Sequence, residues 1–289
     1  MSFRSLLRRT LIEGAVATGG DVRSRRRLLE GMRSRHTHDL RVLLLHGTPP
    51  EHATALRRHL EWLAGQFTLV DFATFKRLWA DPQPPADGRP AVLITFDDGL
   101  ESQAEIAAPL LEEFGARGVF FVVPEFSELT AAAADDFYVR VLDGPAGQPR
   151  RPMTPQRVRE LADRGHTIGS HTLSHVRLSR VPPEELDRQI VASTETLQAW
   201  TGRPVETFAW TYSNDAINPA AHQLACRHHG WCFTPCPGLV DPAVDSPRLI
   251  WRTNVEAWWS RSEWRFLCSG LGDRLWRHRR DALRRLLLG

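Results

Sequence analysis

The sequence predicts an α/β fold in which a parallel sheet closes into a barrel, on the basis of three observations. Short apolar runs alternate with helical apolar spacings at least six times between residues 41 and 255, as strands and helices do around a parallel sheet. No Gly-x-Gly-x-x-Gly turn follows a predicted strand, which favours a barrel over a dinucleotide-binding sheet. The chain of 289 residues is long enough to bury the core of such a barrel.

The predicted strands are short apolar runs that end at a glycine, a proline or a polar residue. They lie at 41–45, 68–71, 91–96, 118–123, 165–170, 205–210 and 231–234, with one more extended segment at 249–255. Predicted helices with amphipathic spacing lie at 51–64, 72–79, 102–114, 155–164, 183–200 and 219–229. Residues 125–152 are expected to form an irregular insertion, and a long loop after a strand often covers a substrate.

Both ends of the chain are basic and have helical apolar spacing. The first 35 residues contain nine arginines against three acidic residues, and the last 18 contain six against two. We expect a basic helical extension at 1–40, a barrel domain at 41–255 and a basic amphipathic helical segment at 256–289. These ends suit peripheral contact with anionic lipid or a phosphate-bearing carrier. General arginine usage is the plainer explanation, because Lys76 is the only lysine.

Composition and charge exclude several classes of protein. An apolar content of 42% and a charged content of 25% are ordinary for a soluble globular protein. No run reaches the roughly 18 apolar residues of a transmembrane helix, and Glu13 and Gly14 interrupt the only N-terminal apolar stretch. We therefore expect no secretory signal and a cytoplasmic location. Nucleic-acid binding is not expected, since no helix-turn-helix pattern or basic-aromatic platform accompanies the charge.

The strongest chemical signal combines two separate strand ends. Asp97 and Asp98 directly follow the apolar run 91–96, and His171 and His175 follow the predicted strand at 165–170. The two histidines are four residues apart, so on one helical turn they would face the same way. Two histidines and one carboxylate leave open positions on a divalent metal ion, as catalytic sites do. A second carboxylate next to such a site can act as a general base. Each motif alone is common in turns or helix faces, but the two together, each after its own strand, favour a metal-dependent hydrolase.

The four cysteines allow two interpretations. Three of them, Cys226, Cys232 and Cys236, lie near two histidines, which invites a zinc site. Their spacing matches no paired Cys-x-x-Cys arrangement. Free cysteines packed as small apolar residues are the preferred interpretation.

The motifs Thr95-Phe96-Asp97-Asp98-Gly99 and His171-Thr172-Leu173-Ser174-His175 resemble the first two motifs of the polysaccharide deacetylases. This is the NodB-homology family, also called carbohydrate esterase family 4, and the resemblance extends over about residues 41–255. It implies a distorted (β/α)7-type barrel and metal-dependent removal of an acyl group from a sugar. It also implies that Asp97 is the base and that Asp98, His171 and His175 hold the metal. Zinc is the expected metal, with cobalt, nickel or manganese as alternatives.

A third motif of the family is similar to Phe208-Ala209-Trp210-Thr211-Tyr212-Ser213, although a proline and a glycine are replaced by Thr211 and Ser213. The resemblance implies that the Tyr212 backbone N–H helps to bind the oxyanion and that Trp210 lines the pocket. The arginine that many members place beside this motif to orient the base is absent here. Arg248 is a candidate to replace it.

The last motif of the family, a strand reading Leu-x-His that supplies the general acid, has no counterpart after residue 240. Leu44-Leu45-His46 fits it near the start of the chain, as in a circularly permuted branch of the family. His46 is therefore the expected general acid, and a strand-end histidine bonded to a loop carbonyl is the alternative.

We expect a metal-dependent deacetylase that acts on an amino sugar, a glycan, or a lipid- or nucleotide-linked sugar precursor. Two other functions stay open. One is a barrel that binds glycans without turnover, and the other is a hydrolase of a non-sugar amide on the same fold.

Overall fold

A curved, mostly parallel sheet is the centre of the structure, a computed structural model that describes residues 40–145 and 150–289. Its strands are β1 (Leu40–Leu45), β2 (Thr68–Val70), β3 (Ala91–Phe96), β4 (Val119–Val122), β5 (Thr167–Ser170), β6 (Thr207–Ala209), β7 (Trp231–Phe233), β8 (Leu239–Val240) and β9 (Thr253–Asn254). The strand order is β7-β6-β5-β4-β3-β1-β8, with β2 also paired to β3 and β9 to β1. Only β8 runs antiparallel to its neighbour among the described strands.

Residues 250–254 connect the two sides of the curled sheet. Ile250 forms a bridge to Phe233 of β7, and β9 pairs with Leu43 and Leu44 of β1. The predicted distorted (β/α) barrel is therefore confirmed. The short β8 strand was not predicted.

Helices surround this sheet. They are α1 (Ala53–Gln66), α2 (Phe72–Ala80), α3 (Ala108–Glu113), α4 (Pro124–Ser127), α5 (Ala131–Arg140), α6 (Pro155–Asp163), α7 (Ser193–Thr201), α8 (Pro219–His228), α9 (Arg261–Cys268) and α10 (Arg277–Leu287). Side-chain caps fix several of their starts: Asp71 accepts from the Thr74 N–H and Thr154 from the Arg157 N–H. A capping box of Ser260 and Glu263 starts α9.

One local prediction is wrong, and two predicted helices are present but contain π turns. The insertion predicted to be irregular at 125–152 contains α5 and most of α4, so about half of its described part is helical. The helix predicted at 102–114 is present over 101–113 and contains a π turn at Gln103–Ala107 before α3. The helix predicted at 183–200 is present as one helical stretch, in which a 3₁₀ turn at Pro183–Glu185 and a π turn at Arg188–Ala192 precede α7.

The core lies on both faces of the sheet, as expected when helices cover a parallel sheet. Alternate residues of β3 show this division. Val92, Ile94 and Phe96 pack in one hydrophobic cluster, and Ala91 and Leu93 pack in a second one. Both clusters include side chains of helices. Strand alternation therefore sends Thr95 and Asp97 to the same side as Leu93.

The predictions for the two ends of the chain and for the cysteines have different outcomes. The segment after residue 256 is helical, as predicted, whereas the extension predicted at 1–40 falls outside the described residues apart from residue 40. Within the described ranges, no helix has both the length and the apolar character needed to cross a bilayer. All four cysteines are free thiols, and Cys232, Cys236 and Cys268 are buried in the core, in keeping with the preferred interpretation.

Candidate active site

The predicted catalytic and metal-binding residues follow the carboxyl ends of three parallel strands. His46 follows β1, Asp97 and Asp98 follow β3, and His171 follows β5. Because parallel strands end at one edge of a barrel, these side chains meet at the same mouth. The backbone turns sharply after Asp97, since Asp98 and Gly99 have φ of 77° and 73°. The two adjacent aspartates can therefore serve different partners.

Asp98, His171 and His175 are the one group of side chains with metal-ligand geometry in the described ranges. Their ligand atoms all lie within 4.8 Å of one another. Nε2 of His171 lies 3.6 Å from Oδ1 of Asp98, and Nε2 of His175 lies 3.5 Å from the same oxygen. All three side chains are buried.

The hydrogen bonds and charges of this group fit a divalent cation. His171 Nδ1 lies 2.9 Å from the Ala209 carbonyl oxygen, to which it donates, so that Nε2 has a lone pair for a metal. Burial, followed by the nearby His171, holds the pKa of His175 well below its ordinary value, and a metal ligand must be a neutral imidazole. Burial also raises the pKa of Asp98, because a buried carboxylate is costly to ionise. A bound cation would offset this cost.

The two histidines do not lie on a helical turn, contrary to the prediction from their spacing. Residues 171–177 have no regular secondary structure, and Thr172 and His175 have positive φ of 62° and 54°. Such a backbone costs about 1–3 kcal/mol at each non-glycine residue and persists only where surrounding contacts hold it. The loop, not a helix face, brings the two Nε2 atoms together.

Asp97 is fixed by a buried guanidinium. Arg252 Nη1 lies 2.6 Å from Oδ1 of Asp97, and Nη2 lies 2.9 Å from Oδ2. Burial tends to raise the pKa of Asp97, but the charge of Arg252, followed by that of His171, holds this pKa below its ordinary value. Arg248, the candidate from the sequence, is exposed. The orienting arginine is instead Arg252, four residues later.

His46 is bound to a carboxylate that the sequence did not indicate. Its Nδ1 lies 2.6 Å from Oε1 of Glu256, so that Nδ1–H donates to the carboxylate and Nε2 stays available. Burial lowers the pKa of His46, but Glu256, together with Asp98 and Asp97, outweighs this and raises the pKa to about 10. The ring is 39% exposed. A protonated, partly exposed imidazole suits a general acid.

Tyr212 lies beside the metal group. Its ring centroid is 4.7 Å from that of His175, and its hydroxyl donates to the Val141 carbonyl at 3.1 Å. Its φ is 58°, and within the described ranges its backbone N–H donates to no protein group. Trp210 is 1% exposed and packs against Phe208. The expectation that its indole lines the pocket is therefore not met.

A cavity of about 620 Å³ opens onto the site. His46, Asp98 and Glu256 line it, together with Tyr138 from α5 and Trp258, whose side chain is exposed. An exposed indole in the wall of a cavity offers a flat apolar face on which a ring of a ligand can stack. Part of the predicted insertion therefore forms a wall of the cavity.

Comparison with known proteins identifies the family. Residues 85–229 match the family model described as Polysaccharide deacetylase. The chain belongs to the polysaccharide deacetylase family. The matched segment includes Asp97 and the three candidate metal ligands, whereas His46, Arg252 and Glu256 lie outside it.

Two curated relatives are Bacillus cereus proteins named peptidoglycan-N-acetylglucosamine deacetylase. One is 24% identical over 158 residues and the other 29% over 157 residues, and each match covers 54% of this chain. The matches cover 63% and 45% of the relatives' own lengths. The chain thus spans about half of the curated relatives that it matches.

Solved structures share the fold. IcaB from Ammonifex degensii aligns with a TM-score of 0.64 and 18% identity, covering 81% of this chain and 97% of that one. The Streptococcus pyogenes deacetylase PplD, solved in complex with acetate, aligns with a TM-score of 0.63 and 17% identity, covering 80% of this chain and 98% of that one. Both alignments extend well beyond the segment matched by the family model.

Sequence reasoning missed Arg252 and Glu256. Both lie in or directly after the segment 249–255, which was predicted only as an extended stretch. One signal was present, because Arg252 directly follows the apolar residues Leu249, Ile250 and Trp251 within a predicted strand-like segment. A buried arginine requires an acidic partner, but the sequence does not say which acid it meets.

Proposed function

We propose that this protein removes the N-acetyl group from an amino sugar of a glycan or glycan precursor, with zinc as its most suitable metal. The observation that carries the proposal is the arrangement of side chains at one mouth of the barrel. The group Asp98, His171 and His175 lies beside Asp97, which is bound to Arg252. His46, bound to Glu256, lies at the same mouth. The names of the Bacillus cereus relatives support a sugar amide as the substrate class.

Asp98, His171 and His175 would hold the cation, which when bound would polarise the amide carbonyl and acidify a water molecule. Asp97 accepts a proton from the water as its oxygen bonds to the carbonyl carbon. Arg252 keeps the Asp97 carboxylate ionised and in one orientation, so that the proton acceptor is in place before the substrate arrives.

The second half of the reaction uses the other side of the site. His46 donates its Nε2 proton to the amide nitrogen as the carbon–nitrogen bond breaks, which yields acetate and a free amine. Glu256 holds the opposite ring nitrogen and so aims the donor. The Tyr212 backbone N–H stabilises the negative charge that develops on the carbonyl oxygen.

The test is acetate release by the zinc- or cobalt-loaded protein from N-acetylglucosamine oligomers and peptidoglycan fragments. Asp97→Asn should keep the metal and lower turnover by about 100-fold or more, because the base is lost. Asp163→Asn, at an exposed aspartate that pairs with Arg203, is the matched control and should leave turnover unchanged. Full activity of Asp97→Asn would exclude Asp97 as the base.

The same assay separates the two alternatives. A metal-loaded protein that binds the oligomers but releases no acetate would be a glycan-binding barrel without turnover. Release of acid from non-sugar acetamides alone would indicate a hydrolase of a different amide.

A further inference from the structure

Two buried glutamines lie in the two π turns of the described structure. Gln103 belongs to the π turn Gln103–Ala107 and Gln189 to the π turn Arg188–Ala192. They are 0% and 3% exposed. A π turn interrupts the regular helical hydrogen bonds and is frequent at functional sites. Both side chains reach towards the candidate active site, although neither contacts a candidate ligand side chain.

Gln103 joins the ends of two strands. Its amide nitrogen donates to the carbonyl oxygen of Asp97 and, at 3.3 Å, to that of His46. The preceding Ser102 adds a second tie, since its hydroxyl accepts from the Thr48 N–H at 3.1 Å. The proposed general acid and general base are therefore held at a fixed separation through one amide group.

Gln189 holds the loop that carries His175. Its Oε1 accepts from the backbone N–H and the hydroxyl of Ser174, each at 3.2 Å. Its backbone carbonyl accepts from the Leu173 N–H at 2.9 Å. This loop has two non-glycine residues with positive φ, so it needs such anchors to keep one conformation.

We propose that Gln103 and Gln189 are positioning residues with separate tasks. Gln189 fixes His175 and thereby sets the affinity for the metal. Gln103 fixes His46 relative to Asp97 and thereby sets the rate of proton transfer. The role of Gln103 rests on the proposed function, whereas the role of Gln189 requires only that the site binds a cation.

The chemistry of the two amides makes one substitution diagnostic. Gln189 acts through its oxygen as an acceptor, and a glutamate at this position keeps that oxygen. Gln103 acts through its nitrogen as a donor, and an ionised glutamate would instead face two carbonyl oxygens. Gln→Glu is therefore tolerated at position 189 and damaging at position 103, whereas Gln→Met removes the hydrogen bonds at either position.

The first measurement is zinc affinity by competition with a chromophoric chelator. Gln189→Met should bind zinc about 10-fold more weakly or worse, as when a group that supports a ligand is removed. Gln189→Glu should bind zinc at least as tightly as the wild type. Wild-type affinity in Gln189→Met, or equal losses in both variants, would overturn this role.

The second measurement is steady-state deacetylation by the zinc-loaded protein. Gln103→Glu and Gln103→Met should both lower kcat by about 10- to 100-fold, as small displacements of catalytic groups do. Zinc affinity and KM should stay at wild-type values, which a general loss of structure would not allow. Wild-type kcat in Gln103→Glu, or weakened zinc binding in either variant, would overturn this role.

Thr201→Val is the matched control. Thr201 is buried, and its hydroxyl donates to the Leu197 carbonyl at 2.8 Å in α7. This variant loses a buried hydrogen bond elsewhere and should change neither zinc affinity nor kcat. A wild-type protein that binds zinc but releases no acetate would contradict the proposed function and the role of Gln103, while the zinc titration would still decide the role of Gln189.

Discussion

Replacing Arg252 with methionine should destabilise the fold through the charge that it leaves behind. The Arg252 side chain is fully buried and the Asp97 side chain is 4% exposed, and the two are joined by hydrogen bonds of 2.6 and 2.9 Å. Methionine occupies similar space without charge. Removing one partner of a buried ion pair costs about 3–5 kcal/mol, because the other charge stays buried without compensation.

The loss of stability should depend on pH. In the wild type, Arg252 helps to hold the pKa of Asp97 below its ordinary value. The ion pair therefore stabilises the fold at pH values above the pKa of Asp97 in the unfolded chain, which is about 4. This stabilisation is lost as the pH falls through the lower pKa of Asp97 in the folded protein. Without Arg252, burial raises the pKa of Asp97, and protonation then relieves the penalty. The difference between wild type and Arg252→Met should therefore be largest at neutral pH and smaller at acidic pH.

The assay is urea unfolding followed by tryptophan fluorescence in the presence of a metal chelator, at pH 7.5 and pH 4.5. Arg203→Met is the control, since Arg203 forms an exposed ion pair with Asp163 at 3.0 Å and should lose less than about 1 kcal/mol. Asp97→Asn combined with Arg252→Met should recover part of the stability. A loss below about 1 kcal/mol in Arg252→Met, or one that is equal at both pH values, would refute the reasoning.

Three further predictions concern other parts of the structure. His175→Ala should lose stoichiometric zinc and activity together, as elemental analysis after dialysis would show; retained zinc would count against the assigned ligand. Glu256→Gln removes the main charge that raises the pKa of His46, so the basic limb of the pH profile of kcat/KM should move to lower pH. A basic limb at the wild-type pH would contradict the role of His46 as the acid. A Cβ added at Gly169 would clash with the Thr207 hydroxyl and the Phe121 ring, so Gly169→Ala should cost about 1–3 kcal/mol in a thermal unfolding experiment. An unchanged melting temperature would show that the barrel core is looser than described.

The barrel strands were predictable because each is a short apolar run with a clear end. The double aspartate after β3 and the histidine after β5 were predictable as partners for the same reason, since parallel strands finish at one edge. The spacing of His171 and His175 suggested a helical turn, but buried contacts hold a left-handed loop there instead. Sequence spacing reports which side chains can meet and does not report the backbone path between them.

Sequence reasoning could not find the partners Arg252 and Glu256 or the two π turns, and the physical reason differs from that for the histidine loop. His46 and Glu256 are 210 positions apart, and Asp97 and Arg252 are 155 apart. Pairings of this kind depend on how the barrel closes, which no local pattern encodes. A π turn adds one residue to a helix that otherwise has ordinary apolar spacing, so its sequence reads as a continuous helix.

The segment that joins β7 to β1 has a consequence for the order in which the protein matures. The same few residues complete the barrel wall and deliver Arg252 and Glu256, the partners of the proposed base and acid. During synthesis the histidines and aspartates emerge long before this stretch leaves the ribosome. Asp97 and His46 gain these partners only when the last strand lies against β1 and β7, so the contacts that orient the proposed base and acid depend on closure of the barrel wall.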